Sequence, residues 1–457
     1  MTSQFLNADT IKEAVYNLCV QANTSYDSFL YSRIVDMYSS AQNQSDKIKL
    51  SNILKNIKLS ADLKRPLCQD TGQVVVFVEI GTDVCLSGIN LNECVNSAVQ
   101  KAYIENYYRK SVVKNSLFCR DNTNTNTPAI LYTDFIEGSS VNIKLMVKGA
   151  GSENYSAVKM FNPSSSKSDI FEFIKQSLIT AGEKSCPPYV LGIGAGGTMD
   201  YAALLSKKAF FYNTNTVEEK NFISEMKAYL SDFSSDILDI KLCSSSTHIA
   251  CLPVALTINC HCTRHAKCSI TEAGIVYERA NNSFINLDDD SSLAQKHVFA
   301  DDITAIRALK KGDNILLTGE IYTARDAAHK RIVDDFVANG TLPFDLKNKI
   351  VFYAGPCPAA LNEVIGPVGP TTSSRMDKFC EFMYSHGIVA TIGKGERSKA
   401  AIDAISACGG KYFSAQGGVA CLLSQCVKRC EIVAYDDLGT EAIRKLYVEN
   451  LPLRVEY

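Results

Sequence analysis

The chain has 457 residues, which is more than one ordinary hydrophobic core accommodates, and it therefore predicts two or three domains. Hydrophobic residues make up 46% and charged residues 21%, and the formal net charge is -2, a composition typical of a globular protein. No overall field selects nucleic acid or an anionic membrane, so an anionic ligand needs a local group of cations.

The start of the chain has neither a signal-peptide nor a transit-peptide pattern, and no later window is apolar enough to span a bilayer, which predicts a cytoplasmic protein with no membrane partner. The 17 cysteines lack disulfide-scaffold spacing, which favours a reducing compartment. Most, such as Cys19 and Cys421, lie in apolar runs and are expected in the core. Those with polar or glycine-rich neighbours are candidates for chemistry: Cys68, Cys186, Cys260, Cys262 and Cys268.

Apolar residues at helical spacing from Ile11 to Cys19 predict a packed helix near the start. Residues 65–72 then read RPLCQDTG and precede a β-branched, apolar run over residues 73–80, which predicts a buried strand. A thiolate at Cys68 is unfavourable beside the carboxylate of Asp70 unless a metal deprotonates the thiol. The structural alternative is that Cys68 is a small buried residue and Asp70 caps a turn with Gly72 at positive φ.

Further loops follow predicted elements. A helical pattern over residues 91–108 places Arg109 at a helix C-terminal end, where stabilising the helix dipole is the alternative to a binding role. Alternating residues 141–147 predict a strand that runs into a glycine-rich turn, residues 149–154, whose amides can approach a ligand. A strand over residues 189–194 also runs into glycines, but the dinucleotide fingerprint and the P-loop lysine are absent, which excludes both nucleotide sites.

Two groups of cysteines flank these strands. Cys186 stands before two prolines at the start of the strand over residues 189–194, so its thiol is expected on the loop edge. Residues 259–268 read NCHCTRHAKC, but no second half of a structural zinc site accompanies them. Iron-sulfur ligation by cysteines drawn from distant loops fits this distribution better.

Between Asn281 and Ser292 the chain loses its apolar rhythm, which predicts a boundary between domains over residues 1–285 and 293–457. Beyond it, residues 314–319 predict a short strand. A helix that carries Arg325 and ends at Gly340 follows, and its predicted buried side is Ile332, Val333, Phe336 and Val337.

Glycine-rich loops near the ends of later strands carry hydroxyls and cations. Thr371 and Arg375 lie in residues 366–376, and Lys394 lies between two glycines. Such loops predict an anion-binding wall. Capping of the following helix by Thr371 or Thr372 is the structural alternative and does not exclude a function.

In this order, these motifs resemble the class I, iron-sulfur-dependent fumarate hydratases, a family that also contains L(+)-tartrate dehydratase. The resemblance covers nearly the whole chain and rests on residues 66–72, 108–113, 149–156, 186–188, 260–265, 323–329 and 369–376. It implies an α/β and α+β architecture of two domains, an N-terminal mixed α/β cluster-binding domain and a C-terminal swivelling β/β/α domain. Some members split these into α and β subunits, whereas here the two are fused.

By this resemblance, Cys68, Cys186 and Cys260 bind three irons of a 4Fe-4S cluster whose open fourth iron is a Lewis acid. Thr371 removes the C3 proton, and Asp70 exchanges the proton of the departing hydroxyl. The substrate carboxylates and the rest of the pocket are assigned to Gln69, Arg109, Gly151, His248, Arg325, Arg375 and Lys394.

The implied activity is the reversible hydration of fumarate to L-malate by a homodimer, with tartrate dehydration as the alternative within the family. The sequence itself reports no oligomeric state. A non-catalytic zinc or iron-sulfur regulatory module is the competing class, but a wall of cations in a second domain argues against it. Cys262 and Cys268 do not fall on the family's ligand position and are expected to pack nearby, and His261, His265 and His329 are equally consistent with structural support.

Overall fold

The computed structural model describes residues 6–212, 216–281, 283–287 and 295–457. Polar residues begin the helices, as at α1, where Asn7 accepts a hydrogen bond from the backbone N–H of Thr10 at 2.8 Å. The predicted helix over residues 11–19 is confirmed within α1. The helices are α1 (Ala8–Thr24), α2 (Ser28–Ser40), α3 (Gln44–Leu63), α4 (Leu91–Glu105), α5 (Ala150–Glu153), α6 (Lys167–Ala181), α7 (Met199–Lys208), α8 (Val217–Tyr229), α9 (Ile303–Ala308), α10 (Asp326–Asn339), α11 (Asp377–Ser385), α12 (Lys399–Ala407) and α13 (Ala420–Gln425).

The strands include every one predicted above. They are β1 (Gln73–Gly81), β2 (Ile130–Ile136), β3 (Val141–Lys148), β4 (Ala157–Phe161), β5 (Tyr189–Gly197), β6 (Ile237–Thr247), β7 (Leu252–Asn259), β8 (His265–Thr271), β9 (Gly274–Tyr277), β10 (Lys296–Phe299), β11 (Asn314–Thr323), β12 (Ile350–Phe352), β13 (Ala390–Gly393), β14 (Lys411–Ser414), β15 (Val427–Ala434) and β16 (Ile443–Val455). They form three sheets, of orders β2-β1-β3-β8-β9, β4-β7-β5-β6 and β10-β11-β12-β13-β14-β16-β15. The chain is therefore a mixed α/β protein, as predicted.

Strand register brings several loops to one place. In the first sheet β1 and β3 are antiparallel with Gln73 opposite Lys148, and β3 and β8 are antiparallel with Met146 opposite His265. The start of β1, the end of β3 and the start of β8 consequently share one edge. In the second sheet β5 and β7 are antiparallel with Val190 opposite Asn259, so the loop before β5 meets the loop after β7. Residues 260–264 join β7 to β8 and thereby connect the two edges.

The third sheet supplies a second set of loops. Neighbouring strands from β10 to β14 are parallel, so their carboxyl ends lie along one edge, where loops of α/β proteins carry ligands. Arg325 follows β11 and Lys394 follows β13 at that edge. One continuous core cluster includes Leu67 and Met146 together with Ile321 and Phe352, so the third sheet packs against the cysteine-bearing part of the chain.

Two predicted details were wrong. Helix α4 ends at Glu105, and Tyr107 adopts φ 56°, so Arg109 lies in a loop beyond the helix. Val337 is 79% exposed rather than buried. The face of α10 that packs on the sheet is Ala328, His329 and Ile332, and a residue five positions after Ile332 is rotated by about 140° from it.

The predicted domain boundary falls largely on residue 282 and residues 288–294, which lie outside the described residues. In the part of the chain that the structure describes, no helix combines the length and the apolar character that crossing a bilayer requires.

A substitution at Leu145 measures how much the packing of the first sheet, which forms the shared edge, contributes to stability. Leu145 is fully buried in β3, between Val76 of β1 and Ala266 of β8. We expect Leu145→Ala to lower the free energy of unfolding by about 2–5 kcal/mol, because a cavity replaces packed methyl groups. The measurement is the urea midpoint at unchanged m value. Leu361→Ala, at a position 83% exposed, is the control, and an equal effect in both variants would contradict the assignment.

Candidate active site

Three of the predicted sulfur ligands lie at the edge that the strand register creates. Cys68 is 8% exposed and Cys186 is 9% exposed, and Cys260 follows β7 directly. The backbone N–H of His261 donates to the carbonyl of Cys186 at 3.3 Å, which fixes the second and third cysteine loops together. The electrostatic interactions of Cys186 with Cys68 and Cys260 place all three thiols in one neighbourhood.

The thiols at this edge differ in their readiness to ionise. The neighbouring thiol of Cys262 lowers the pKa of Cys260 well below its ordinary value and lowers that of Cys68 as well, and Arg264 acts in the same direction on both. Burial raises the pKa of Cys186 to about 11, although Lys394 opposes the rise by donating to its Sγ at 2.9 Å. Each thiol therefore has a donor or cation beside it that stabilises a thiolate, the form that binds a metal.

The residues around these sulfurs fit an iron-sulfur cluster. A Cβ at Gly417 would overlap the Sγ of Cys186, and a Cβ at Gly418 would overlap the ring of His261, so the tandem glycines leave space for the sulfur side of the site. Among the described residues, no three Cys, His, Asp or Glu side chains are arranged to hold a single metal ion. Thiolates contributed by separate loops are the donors that iron-sulfur clusters use.

Asp70 makes the turn contact that the structural alternative predicts and also has charged and backbone partners, while its catalytic role stays a prediction. It accepts a hydrogen bond from the backbone N–H of Gly72 at 3.2 Å, with Gly72 at φ 51°, as the structural alternative predicts. It also lies 3.4 Å from the guanidinium of Arg109 and accepts from the N–H of Ala150 at 3.0 Å. Burial would raise the pKa of Asp70, but Arg109 and Arg264 outweigh burial and lower it. The carboxylate form is therefore favoured at the site.

Arginines converge beside Asp70. Arg109 donates to the carbonyl of Gly355 at 3.2 Å, and a Cβ at Gly355 would lie 2.9 Å from a terminal nitrogen of Arg325. Burial, reinforced by Arg109, lowers the pKa of Arg325 to about 10, while Glu441 opposes the shift. The Nε of Arg325 is buried and has no hydrogen-bond partner among the described residues. A crowded, incompletely paired cation is suited to an anionic ligand.

Thr371 is held by its backbone and by one cation. Its N–H donates to the carbonyl of Tyr353 at 2.7 Å, and its hydroxyl accepts from Arg375 at 2.7 Å. Arg375 is also paired with Asp326 at 2.8 Å, which fixes the guanidinium over the hydroxyl. Thr372 occupies the N-cap position of the short turn Ser373–Met376 without a side-chain capping bond, so the capping alternative does not explain these threonines.

Two contacts join the loops of the third sheet that carry Thr371 and Lys394 to the edge at which Cys68, Cys186 and Cys260 lie (the sulfur edge). Gln69 donates to the carbonyl of Pro370, the residue before Thr371, at 3.2 Å. On the other side, Lys394 bonds to Cys186, and a Cβ at Gly151 would lie 3.4 Å from its Nζ. The structure therefore brings together all the predicted site residues except one.

His248 is the exception. It lies in an exposed turn between β6 and β7, where its Nδ1 accepts from the N–H of Ala250 at 3.1 Å, and no described contact connects it to the other site residues. Its role in the pocket stays a prediction. Cys268 packs in the core of the first sheet, away from the sulfur edge, whereas Cys262 lies at that edge and interacts with Cys68 and Cys260.

The three uncertain histidines all have structural contacts. His261 contacts the carbonyl of Gly417 at 3.0 Å through Nε2, and the ring of His265 meets Phe211 at 5.6 Å. His329 contacts the carbonyl of Arg325 at 2.9 Å through Nδ1 and packs against Tyr353. His261 and His329 thus support segments that carry Cys260 and Arg325, whereas His265 packs away from the predicted site residues.

Sequence reasoning missed the loops that hold these residues in place. The carbonyl of Gly355 and the thiol of Cys357, which donates to the carbonyl of Gln69 at 3.5 Å, are close to Arg109 and Asp70. Gly417 and Gly418 close the sulfur side. The tandem glycines after β14 were a usable signal, since they follow a strand whose carboxyl end points to the same edge.

A cavity of about 310 Å³ opens beside this site. Cys186, Lys394 and Gly417 line it together with residues of α3 and the end of β16. Thr371 and the three arginines of the predicted site, Arg109, Arg325 and Arg375, do not. The sulfur side of the site is therefore reachable from a different direction than the arginine wall.

Comparisons with known proteins agree with this geometry. A family model described as Fumarate hydratase (Fumerase) matches residues 12–269, and one described as Fumarase C-terminus matches residues 276–456. The chain belongs to the fumarate hydratase family. Because both models match in sequence along one chain, the two family regions are fused here, as the motifs implied.

Relatives cover most of the chain at low identity. "Fumarate hydratase class I, anaerobic" of Escherichia coli is 28% identical over 447 residues, which are 90% of this chain and 81% of that protein. "Fumarate hydratase 1, mitochondrial" of Leishmania major is 29% identical over 448 residues, 89% of this chain and 81% of that protein. A "Putative L(+)-tartrate dehydratase subunit alpha" of Methanocaldococcus jannaschii is 32% identical over 275 residues, 56% of this chain and 96% of that protein.

His329 gives a testable pH dependence. Burial lowers the pKa of His329 from 6.5 to about 4, so between these values the unfolded chain binds the proton and the folded chain does not. Stability from this residue is therefore complete above pH 6.5 and is lost as the pH falls toward 4. The difference of about 2.5 between the pKa values corresponds to about 3 kcal/mol.

We expect His329→Phe, which retains the ring packing, to weaken this acid-side loss of stability in urea unfolding measured from pH 7 to pH 4. The same substitution at His297, which is exposed, should leave the pH dependence unchanged. If His329→Phe and the parent chain lose stability equally on acidification, His329 is not the group responsible.

Proposed function

We propose that this chain catalyses the reversible hydration of fumarate to L-malate as a class I fumarate hydratase, a hydro-lyase. The observation that carries the proposal is the contact between Gln69 and the carbonyl of Pro370, because it joins the residue between Cys68 and Asp70 to the residue before Thr371. A purely structural metal module needs neither a proton-transfer hydroxyl nor a separate carboxylate beside its cysteine ligands.

Cys68, Cys186 and Cys260 would hold a 4Fe-4S cluster, leaving one iron without a cysteine. When bound, the cluster supplies a Lewis acid for the hydroxyl and carboxylate oxygens of the substrate. Two cations support these thiolates from the protein side, since Lys394 donates to Cys186 at 2.9 Å and Arg264 lies beside Cys68 and Cys260.

The substrate is a small dianion, and the arginines supply its binding charge. Arg109 and Arg325 would receive the two carboxylates together with Lys394, because planar guanidinium groups pair with carboxylates through two parallel hydrogen bonds. Gln69 and the backbone near Gly151 would complete the pocket. This local group of cations explains how a chain of net charge -2 binds a dicarboxylate.

Proton transfer falls to Thr371 and Asp70. In hydration, the ionised Asp70 takes a proton from the attacking water while Thr371 delivers one to C3, and exchange with solvent restores both groups. In dehydration the transfers reverse, so Thr371 removes the C3 proton as an alkoxide. An ordinary threonine hydroxyl is ionised too rarely to act as a base. Arg375, 2.7 Å from the Thr371 hydroxyl, stabilises the alkoxide and so raises its population.

The same proposal includes the domain arrangement. Residues 1–285 would form the cluster-binding domain and residues 293–457 a swivelling β/β/α domain, with the substrate between them. Support comes from the sheets, since strands of the first two lie within residues 73–277 and those of the third within residues 296–455. A swivel would open and close the contact between Gln69 and Pro370.

Self-association and location complete the proposal. We expect a cytoplasmic homodimer. Large apolar side chains are exposed near the ends of β4, β5 and β6, at Met160 (50%), Met199 (55%) and Ile249 (91%), and such a patch is suited to a partner surface.

The direct test is an anaerobic assay after reconstitution with iron and sulfide. The purified chain should convert L-malate to fumarate, followed by the ultraviolet absorbance of the new double bond, and L-tartrate should be a poor substrate. Faster turnover of L-tartrate would instead favour the tartrate dehydratase named among the relatives. An open iron is sensitive to oxygen, so activity that survives prolonged aeration without reactivation would contradict the proposal.

Removing the proposed base separates chemistry from cluster binding. We expect Thr371→Ala to lower kcat by about 10²–10⁴-fold, the contribution typical of a positioned acid or base, while the visible absorbance of the cluster is unchanged. The adjacent Thr372→Ala, whose hydroxyl makes no capping bond, should retain most of the activity. A fully active Thr371→Ala would remove Thr371 from the mechanism.

Cysteine substitutions test the ligand set. Serine at position 68, 186 or 260 should abolish the visible absorbance and lower the iron content of the reconstituted chain, because an alcohol does not replace a thiolate ligand. Cys262→Ser and Cys268→Ser should retain the cluster, and Cys268 is the cleaner control because it is buried in a different core. Loss of iron in Cys262→Ser at wild-type stability would make Cys262 a ligand.

A further inference from the structure

Arg264 is a buried cation that neither the substrate pocket nor the metal ligands include. It is 4% exposed and follows Cys260 by four residues, in the segment that joins β7 to β8. Its carbonyl accepts a hydrogen bond from the N–H of Val147 at 2.9 Å, which fixes its backbone to the end of β3. The backbone of Arg264 is therefore held rigidly beside the first sheet, and its side chain extends toward the sulfur edge.

The guanidinium of Arg264 connects two cysteine loops. One terminal nitrogen donates to the backbone carbonyl of Asp70, two residues after Cys68, while the main chain of Arg264 continues from the Cys260 loop. A guanidinium that bonds across this gap holds the loops at a fixed separation. The arrangement ties the first and third cysteines together, as the bond from His261 to Cys186 ties the second and third.

Gly149 makes room for this side chain. A Cβ at position 149 would lie 2.9 Å from the other terminal nitrogen of Arg264 and 3.1 Å from a carboxylate oxygen of Asp70. The backbone of Gly149 has φ -75°, which any residue adopts, so the glycine is required by space and not by conformation. The space left by Gly149 and the hydrogen bond to the carbonyl of Asp70 are independent features, and together they fix the position of the guanidinium.

The charge of Arg264 has no carboxylate partner within ion-pair distance among the described residues. Arg65 and Arg397 are equally buried, yet each has one, Glu363 at 2.9 Å and Asp377 at 2.6 Å respectively. Burial works to lower the pKa of Arg264, but the neighbouring thiols of Cys68, Cys262 and Cys260 outweigh burial and raise it. The negative charge that compensates this cation therefore comes first from these sulfurs, with a smaller contribution from the carboxylate of Asp70.

We propose that Arg264 is a positioning residue for the metal centre: it holds the Cys68 and Cys260 loops at their working distance and supplies the positive charge that the thiolates require. The inference rests on the proposed cluster. Three thiolates add negative charge to the cluster, and reduction would add more, so a nearby cation favours both retention of the cluster and its reduced state. Arg264 accordingly tunes the reduction potential without contacting the substrate.

The experiment compares Arg264→Lys and Arg264→Gln with the parent chain after anaerobic reconstitution. Iron and sulfide per chain, the rate of iron loss to a chelator and the midpoint potential are measured, with circular dichroism as the check on folding. Arg264→Gln should lose iron about 10–100-fold faster, the usual cost of removing a partner of a ligand, and its midpoint potential should shift to more negative values. Arg264→Lys, which keeps the charge, should stay close to the parent potential.

Arg65→Gln is the matched control. Arg65 is 7% exposed, begins the same loop as Cys68 and donates to the carbonyls of Asn106 and Pro358, so its loss removes an equally buried cation that faces away from the sulfurs. Its midpoint potential should equal that of the parent. A purely structural role for Arg264 would change stability in both arginine variants and the potential in neither.

Each outcome supports the inference about Arg264, overturns it or rejects the proposed function. A loaded Arg264→Gln with the parent potential and iron-loss rate overturns the inference. If Arg264→Gln folds without loading while Arg65→Gln and Arg264→Lys load, the charge requirement is supported. If Arg264→Gln and Arg65→Gln both fail to fold, the role of Arg264 is structural and the inference is overturned. A parent chain that takes up no cluster would instead reject the proposed function.

Discussion

The register of two antiparallel strand pairs is the constraint on which this site depends. Gln73 lies opposite Lys148 in the first sheet and Val190 lies opposite Asn259 in the second, so four loops far apart in sequence end at one edge. A shift of one residue would turn the side chains of these strands to the other face of the sheet. In β5 a Cβ at Gly192 or Gly194 would overlap the backbone of α7, so a shift that placed Leu191 or Ile193 on that face is strongly disfavoured, and the position of the sulfurs follows from the packing of the core.

Electrostatics explain why the site can exist in a chain with almost no net charge. Buried thiols and a buried carboxylate would be costly alone, and a buried group of arginines would be equally costly. Here the two sets compensate each other. Arg109 and Arg264 lower the pKa of Asp70 against burial, and Lys394 donates to the thiol of Cys186. Burial, together with the nearby Arg109 and Arg375, lowers the pKa of Arg325 despite its ion pairs with Glu441 and Asp326, and a bound dicarboxylate would relieve the repulsion among the three arginines.

The two parts of the chain contribute different chemistry for a physical reason. The loops before β1 and β5 and after β7 carry thiols, which bind soft metals, and they are anchored on strands with little freedom. The loops after the parallel strands of the third sheet carry Arg325, Thr371 and Lys394, to which the proposed function assigns the binding and deprotonation of an organic anion. Several contacts join the two sets, among them those of Gln69 with Pro370, of Arg109 with Gly355 and of His261 with Gly417. The sulfur ligands and the substrate wall are therefore positioned relative to each other by the same packed interior.

The sequence by itself determined the strands, the cysteine-bearing loops and the family, because alternating apolar runs and long motifs are local features. It predicted Asp70 in two alternative roles, and the structure shows the turn contact with Gly72 together with an ion pair to Arg109. It missed the carbonyl of Gly355, which binds Arg109, and the space that Gly149 leaves for Arg264. Both contacts involve a side chain that is distant in sequence, so no local pattern indicates them. Only the tertiary structure decided which cations face the sulfurs, which face the pocket and which histidines merely support a helix, because these choices depend on strand register and burial rather than on spacing along the chain.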